Sequence, residues 1–416
     1  MTRPLPQSVA IYRVGGSVRD ELIGRKASDR DFLVVGATPE IMVASGFVPV
    51  GQDFPVFLHP ETHEEYALAR TERKHGRGYR GFQFFATPDV TLEEDLRRRD
   101  LTINAMARDA EGRLVDPFGG EADLRAGVLR HVSDAFVDDP LRVLRVARFA
   151  ARFAFRIADE TIALMRDIVA SGELSTLAPE RIWQELSRGV CEAHPSRMLD
   201  ALRACGALYE LLPTIDALYA IDTGAGDDNA GAFTERALDF AAKHAMSLAA
   251  RYAVFLQELD RVDGPHAFDA RYGVAQIDAV SMVLRAPGEC RDAARLAVRW
   301  HHAVANAETL SPSKLLDLLL AADALRRPER IVTLANAAAA HIAAGGARDV
   351  DPRRYASTLD EALRVVRDVD AMAVASEAID RARNGSGRSK GEEIASALRT
   401  ARLAALRNFK AQKGAR

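Results

Sequence analysis

Two aspartates, Asp29 and Asp31, stand two positions apart in SDRDFLVVG, at the edge of an apolar run. In an extended strand residues i and i+2 share a face, so both carboxylates project together while Arg30 points away. Two carboxylates about 5 Å apart repel by about 3 kcal/mol at an effective dielectric of about 20, and the adjoining FLVVG limits rescue by water. A hard divalent cation such as Mg2+ removes that cost, because it takes one or two carboxylates together with substrate phosphate oxygens. The pair reads either as a phosphoryl-transfer platform or as a solvated acidic turn.

The residues before and after the pair bear on that choice. Gly15-Gly16 follow the short β-like run AIYRV, Ser17 is placed to cap a helix with Asp20 three residues on, and Gly24 is placed to close it. A helix start with bare backbone beside it binds phosphate, and Arg19 lies in that helix. Further on, in DDPLRVLRVARF, Asp139-Pro140 form a cap and first-turn pair, and Arg142, Arg145 and Arg148 recur every third residue on one helical face. No Asp or Glu occurs between 140 and 158 to neutralise that face, so an external anion is the simpler partner, with a structural ion pair the alternative for any one arginine. Glu65 in HEEYALAR is a third carboxylate that alternation returns to the same sheet face; Glu64, or no third carboxylate, is the alternative. The basic, glycine-rich ERKHGRGYRGFQ at 72–83 suits either a loop near a nucleotide or RNA end or a plain hairpin tip.

These residues need elements to hold them. Between residues 10 and 135 short β-rich runs alternate with helical stretches, which predicts an α/β domain with a mixed sheet. From about 139 onward, segments such as LRVLRVARFAARF, RALDFAAKHAMSLAARYAVFL and DEALRVVRDVDAMAVASEAI carry 3.6-residue apolar spacing and predict an all-helical remainder. The Gly/Asp-rich stretch 222–232 reads as a loop between helical subdomains. A tail with Arg402, Arg407, Lys410, Lys413 and Arg416 reads as a solvated basic end or a phosphate contact. At 416 residues, with roughly 100–200 per domain, two to four domains are expected. A net charge of −3 excludes a uniformly basic nucleic-acid coat, leaving local patches. Three scattered cysteines, Cys191, Cys205 and Cys290, make neither a disulfide framework nor a four-cysteine zinc site, and no leader-like apolar segment opens the chain; a soluble cytoplasmic protein is expected.

The run GGSVRDELIGRKASDRD at 15–31 resembles the head of the tRNA nucleotidyltransferases and bacterial poly(A) polymerases, which share a polymerase β-like catalytic module. The family's later motifs follow in order. RRDLTINA at 98–105 is similar to its RRDFTINA, with Leu101 for Phe; DPFGG at 116–120, DDPLRVLRVARF at 138–149 and PERIWQE at 179–185 complete the series. The resemblance is dense over residues 11–188, and a weaker similarity to the bacterial class II CCA-adding members continues through most of the rest. It implies a nucleotidyltransferase head at 1–138, a helical neck at 139–220 with base and RNA recognition, and a helical body and tail at 221–416. The implied reaction is untemplated addition of C, C and A to the tRNA 3′ end from CTP and ATP, with Asp29 and Asp31 as catalytic Mg2+ ligands and the tRNA acceptor arm as partner. The alternatives are a bacterial poly(A) polymerase and a non-catalytic RNA-binding descendant.

By the same resemblance Gly16, Arg19, Arg99, Arg145 and Arg148 hold the nucleotide's phosphates and sugar, with Gly15 beside them. Asp100 and Asn104 lie in the pocket, and Asp139 with Arg142 serve as an amino-acid template for the base. Many such enzymes also carry an HD-type phosphohydrolase domain with a His-Asp pair. Here the matching stretch is RYAVFLQELDR at 251–261, with Gln257-Glu258 in that place. Gln is a poor metal ligand, and adjacent helical residues such as His301-His302 point about 100° apart, so no common metal and no HD phosphohydrolase activity are expected.

Overall fold

The β-rich runs AIYRV and DFLVV sit side by side in a seven-stranded sheet. The computed structural model describes residues 5–26, 30–50, 56–74, 82–224, 229–261, 268–383 and 389–414. Asp29 and the 75–81 part of the glycine-rich stretch lie outside them. The chain divides into two compact units, Met1–Pro213 and Thr214–Arg416.

In the first unit the order is β1 (Ala10–Val14), α1 (Gly16–Leu22), β2 (Asp31–Val35), α2 (Pro39–Ala44), β3 (Val48–Val50), β4 (Val56–Leu58), β5 (Glu65–Leu68), β6 (Thr71–Lys74), β7 (Phe82–Phe85), α3 (Leu92–Arg97), β8 (Ala107–Arg108), β9 (Leu114–Val115) and α4 (Gly120–Ala126). The sheet runs β3-β4-β5-β2-β1-β8-β9, with β2 antiparallel to β1 and parallel to β5, so it is mixed as expected. β6 and β7 form a separate hairpin. Leu33 packs on one face with Val14, Leu96 and Ala105, whereas Val34 packs on the other with Met42, Phe47 and Phe57. Burial of both faces explains why FLVV is continuously apolar, and each such side chain contributes about 1.5–3 kcal/mol.

The start of α1 differs from the expectation. Its N-cap is Gly15, at φ 68°, and Ser17 is buried inside the first turn, its Oγ donating to the Val14 carbonyl at 3.2 Å. The positive φ turns the chain before Ser17 is reached, so backbone geometry replaces a side-chain cap. DPFGG works by a different device: the Asp116 carboxylate accepts from the Gly120 and Glu121 amides at 2.7 and 2.9 Å, and Gly119 takes φ 72°. This turn presses α4 onto residues 102–104, where a Cβ on Gly120 would lie 2.2 Å from the Thr102 carbonyl oxygen.

The unit continues with β10 (Val128–Leu129), α5 (Leu141–Phe153), β11 (Arg156–Ile157), α6 (Asp159–Ala170), α7 (Pro179–Cys191), α8 (Ser196–Ala204) and the short α9 (Ala207–Leu211). Helix α5 is buried over nearly its whole length and packs on α7 and α8. Asp139 caps it as expected, its Oδ1 accepting from the Leu141 amide at 3.0 Å.

After the short α10 (Pro213–Asp216), the second unit is all helix: α11 (Ala230–Lys243), α12 (Leu248–Leu256), α13 (Ala270–Val283), α14 (Gly288–Ala305), α15 (Pro312–Ala321), α16 (Glu329–Ala344), α17 (Pro352–Arg367), α18 (Ala371–Arg383) and α19 (Lys390–Gly414). The last residues of the expected 222–232 loop are helical instead, because the Asn229 side chain caps α11 by accepting from the Ala232 amide at 2.9 Å. Buried alanines on α12, α14 and α16 let these helices approach closely. One consequence corrects the reading of His301-His302: their ring centroids lie 3.9 Å apart, and His341 of α16 joins them at 4.5 and 4.9 Å. Side-chain rotation overrides the 100° divergence of their Cα–Cβ directions. In the basic tail Lys413 is exposed, as a solvated end would have it, yet Lys410 and Lys413 both make contacts within the second unit. Lys410 donates to the Glu308 and Leu310 carbonyls and Lys413 pairs with Glu361. Cysteines 191, 205 and 290 are thiols outside any disulfide, and among the described residues no helix is long and apolar enough to cross a membrane.

Gly120→Ala should lower the urea midpoint of the first unit by the equivalent of about 1–3 kcal/mol, because backbone atoms of residue 102 must move. Denaturation followed by circular dichroism measures it.

Candidate active site

A cavity of about 580 Å³ opens in the first unit where α1, the RRDLTINA segment and α5 meet. Gly15, Gly16 and Arg19 come from α1 and its cap, Arg99, Asp100 and Asn104 from RRDLTINA, and Asp139, Arg142, Arg145 and Arg148 from α5 and its cap. Asp31 lines it at the start of β2. Every expected pocket residue that the structure describes is therefore brought together except Glu65. Among the described residues nine arginines line the cavity against three aspartates, an excess that suits a polyanion such as a triphosphate.

The glycine turn is tight because a guanidinium lies on it. A Cβ at Gly15 would sit 2.9 Å from Arg99 Nη1, which donates to the Asn104 carbonyl at 3.3 Å. Arg19 is 3% exposed, grips Asp20 through Nε and Nη2 at 2.9 Å, donates Nη1 to Asn104 Oδ1, and lies over the rings of Phe149 and Phe153. Burial lowers its pKa below the ordinary guanidinium value, and Asp20 opposes that shift. Asn104 in turn donates Nδ2 to Asp100 Oδ1 at 2.9 Å.

Asp100 is the hub. Its Oδ1 also accepts from the Leu101 amide at 2.8 Å, and its Oδ2 takes Nε and Nη2 of Arg145 at 2.8 and 2.7 Å. Burial alone would raise its pKa, but Arg145 and these hydrogen bonds outweigh burial and hold it well below the usual carboxylate range. Asp100 correspondingly raises Arg145.

The expectation that α5 presents its arginines to an external anion needs correction. Arg145 pairs with Asp100, Arg148 with Glu185 of α7 at 2.6 Å, and Arg152 with Asp20 at 2.9 Å. The i±4 rule looks only along the helix, whereas these carboxylates are 45, 37 and 132 residues away. Each pair uses part of the five-donor fork of an arginine, so the cavity keeps its excess of cations. Arg142 is held differently. It is buried and donates to the Ala135 carbonyl at 2.8 Å and to the Arg98 carbonyl, contacts that help fix its plane, and its charge also helps to hold Asp100 ionised. Asp139, besides its capping bond, lies 3.4 Å from Arg181 through Oδ2.

At the strand end, Glu65 is the direct register partner of Asp31, and parallel neighbours share a face. Glu64 turns instead to Thr62 and Arg30. Glu65 is not among the cavity residues; it sits beside Asp31, and both are exposed. Two hard oxygen donors side by side at the edge of an arginine-lined cavity fit a hard divalent cation.

Four arginines were not singled out from the sequence. Arg152 lies one turn beyond Arg148, and Arg181 lies within PERIWQE; both carried a signal in spacing or motif. Arg98 opens RRDLTINA, and its guanidinium bonds buried Asp95 at 2.7 Å and the Arg70 carbonyl at 3.1 Å. Arg70 carried no local signal.

The chain matches the family described as the poly A polymerase head domain over residues 11–130, and the one described as the probable RNA and SrmB-binding site of polymerase A over residues 154–219. It is 51% identical to the multifunctional CCA protein of Nitrosomonas europaea, covering 88% of this chain and 91% of that one. It is 48% identical to the protein of the same name from Pseudomonas aeruginosa, covering 97% and 99%. The crystal structure of the Bacillus stearothermophilus CCA-adding enzyme in complex with CTP shares its fold, with a TM-score of 0.68 at 24% identity over 98% of this chain and 95% of that one.

Because Asp100 has a folded-state pKa below its unfolded value of about 3.9, the stability it contributes is present above about pH 4 and is lost as the pH falls through the folded value. Asp100→Asn should lower stability near neutrality by about 1–3 kcal/mol and flatten the dependence of the urea midpoint on pH in the acid range, the two proteins converging at the lowest pH.

Proposed function

We infer from membership of the CCA-adding tRNA nucleotidyltransferase family, to which this chain belongs, that it adds C, C and A to the 3′ end of tRNA from CTP and ATP. The addition needs no nucleic-acid template and releases pyrophosphate in the cytoplasm. The observation that carries the reading is the single cavity in which the glycine turn, the RRDLTINA arginines and the α5 arginines converge, with Asp31 at its edge.

Asp29 and Asp31, with Glu65 beside Asp31, are the residues that would hold Mg2+. When bound, that ion supplies Lewis-acid activation of the attacking 3′-hydroxyl and charge neutralisation at the phosphates. The chain's own part is positioning. Gly16, Arg19, Arg99, Arg145 and Arg148 bind the triphosphate and sugar and aim the α-phosphate at the incoming hydroxyl. Asp139 and Arg142 read the base: cytosine and adenine both place an exocyclic amine beside a ring-nitrogen acceptor, which one carboxylate and one guanidinium pair with. Uracil and guanine put a carbonyl against the carboxylate and lose about 2–4 kcal/mol. The carbonyl clamp on Arg142 supports this role, since it fixes the guanidinium at the cavity wall beside Asp139.

We assign residues 1–138 to catalysis, 139–220 to base and RNA recognition and 221–416 to a helical scaffold for the tRNA acceptor arm. HD phosphohydrolase activity is absent in this reading. Glu258, at the place of the family's paired aspartate, has its two oxygens engaged by His341 and Arg261.

Purified protein offered a tRNA lacking its terminal CCA, with each nucleotide alone and all together, should yield ends of CCA on sequencing; a long A tail would select a poly(A) polymerase instead. Asp31→Ala should reduce incorporation by three orders of magnitude or more while leaving the circular dichroism spectrum unchanged, and turnover near the wild-type rate would remove the metal assignment. Arg142→Ala should narrow the preference for CTP and ATP over UTP and GTP about tenfold or more, measured as ratios of kcat/KM; unchanged ratios would remove its template role.

A further inference from the structure

The second unit holds a cluster that the reaction above does not use. His301 and His302 of α14 and His341 of α16 each bring one ring nitrogen to within 4.8 Å of the other two. Nitrogens bound about 2.1 Å from one ion lie at most about 4.2 Å apart, so small ring rotations close the set. We propose that these three histidines bind a divalent transition-metal ion of the zinc class, with a coordination position left to solvent. The proposal does not rest on the nucleotidyltransferase reading.

The second, independent observation is how the far sides of the rings are tied. His301 is 1% exposed; its Nδ1 lies 2.8 Å from the Ala297 carbonyl, and its Nε2 has no partner among the described residues. A carbonyl only accepts, so the proton sits on Nδ1 and Nε2 presents a bare lone pair in a buried position. His341 repeats the arrangement, with Nδ1 donating to Glu258 Oε1 at 2.8 Å. A carbonyl behind the His301 ring and a carboxylate behind that of His341, fixing tautomer and ring plane, form the kind of outer shell that metal-binding histidines use. Glu258 acts in that shell rather than as a ligand, because its Oε2 accepts from Arg261 Nε at 2.7 Å.

The turn that supplies Glu258 adds to this. Gln257 is fully buried with both amide atoms unpartnered, and buried Asp260 leaves Oδ1 unpartnered, among the described residues. Buried polar atoms are nearly always satisfied, so the turn that carries Glu258 holds polar groups that no partner among the described residues uses. His302 is exposed and opens the cluster to solvent. Three imidazoles without a ligating carboxylate favour zinc, cobalt or nickel over magnesium or calcium. The set also differs from a His-Asp pair, whose place holds Gln257-Glu258.

The test uses the full chain purified without a polyhistidine tag and stripped by chelator. Cobalt(II) should give the intense visible bands of a low-coordinate nitrogen site, saturating at one equivalent and displaced by zinc. Zinc, but not magnesium, should raise the unfolding temperature by several degrees. His302→Ala and His341→Gln should each abolish the bands and the shift, whereas cobalt at the Asp31 carboxylates gives only weak octahedral absorption and persists in both variants. His302→Ala should retain wild-type CCA addition, so failure of either reading is seen separately. Absence of the bands and the zinc shift, or their persistence in both variants, would overturn the proposal.

Discussion

Like charges cannot be crowded around one cavity unless something buried holds them there, and in this protein carboxylates do so. Asp100, Asp95, Asp20 and Glu185 are each shielded from solvent, and each fixes one or more of the arginines that surround the cavity. The arrangement is preorganised: the cost of bringing the guanidinium groups together is met on folding, and a polyanionic substrate meets donors already aimed. A buried carboxylate with a single arginine would be marginal, but Asp100 also takes a main-chain amide and the Asn104 amide, which completes its hydrogen bonding.

That network depends on backbone devices placed with little tolerance. The positive φ of Gly15 admits the Arg99 guanidinium against the main chain, and the Asp116-capped turn presses α4 onto the residues that carry Asn104. Both devices set where the arginines sit. The sheet contributes in the same way, since burial of Leu33 and Val34 on opposite faces fixes the register that leaves Asp31 at the exposed end of β2, across from Glu65.

Much of this was legible in the sequence because the signals were local. Three arginines at a spacing of three must share a helical face, a double glycine after a strand must turn, and a continuous apolar strand must be buried on both sides. What was not legible depends on contacts distant in the chain. Nothing near α5 announces that Asp100, Glu185 and Asp20 return to it, so the helix looked more available to an external anion than it is. Arg70 reaches the cavity by tertiary placement alone. The cap of α1 was misjudged because a glycine backbone did what a serine side chain was expected to do. The histidine cluster was missed because Cα–Cβ directions on one helix do not fix where rings end, and because its third member belongs to another helix.

The clamp on Arg142 has an evolutionary side. Two of its partners are main-chain carbonyls, so no substitution at residue 98 or 135 deletes those two bonds while the chain keeps its path. The placement of that guanidinium is therefore tied in part to the route of the polypeptide. Drift in the side chains at positions 98 and 135 leaves those two bonds intact.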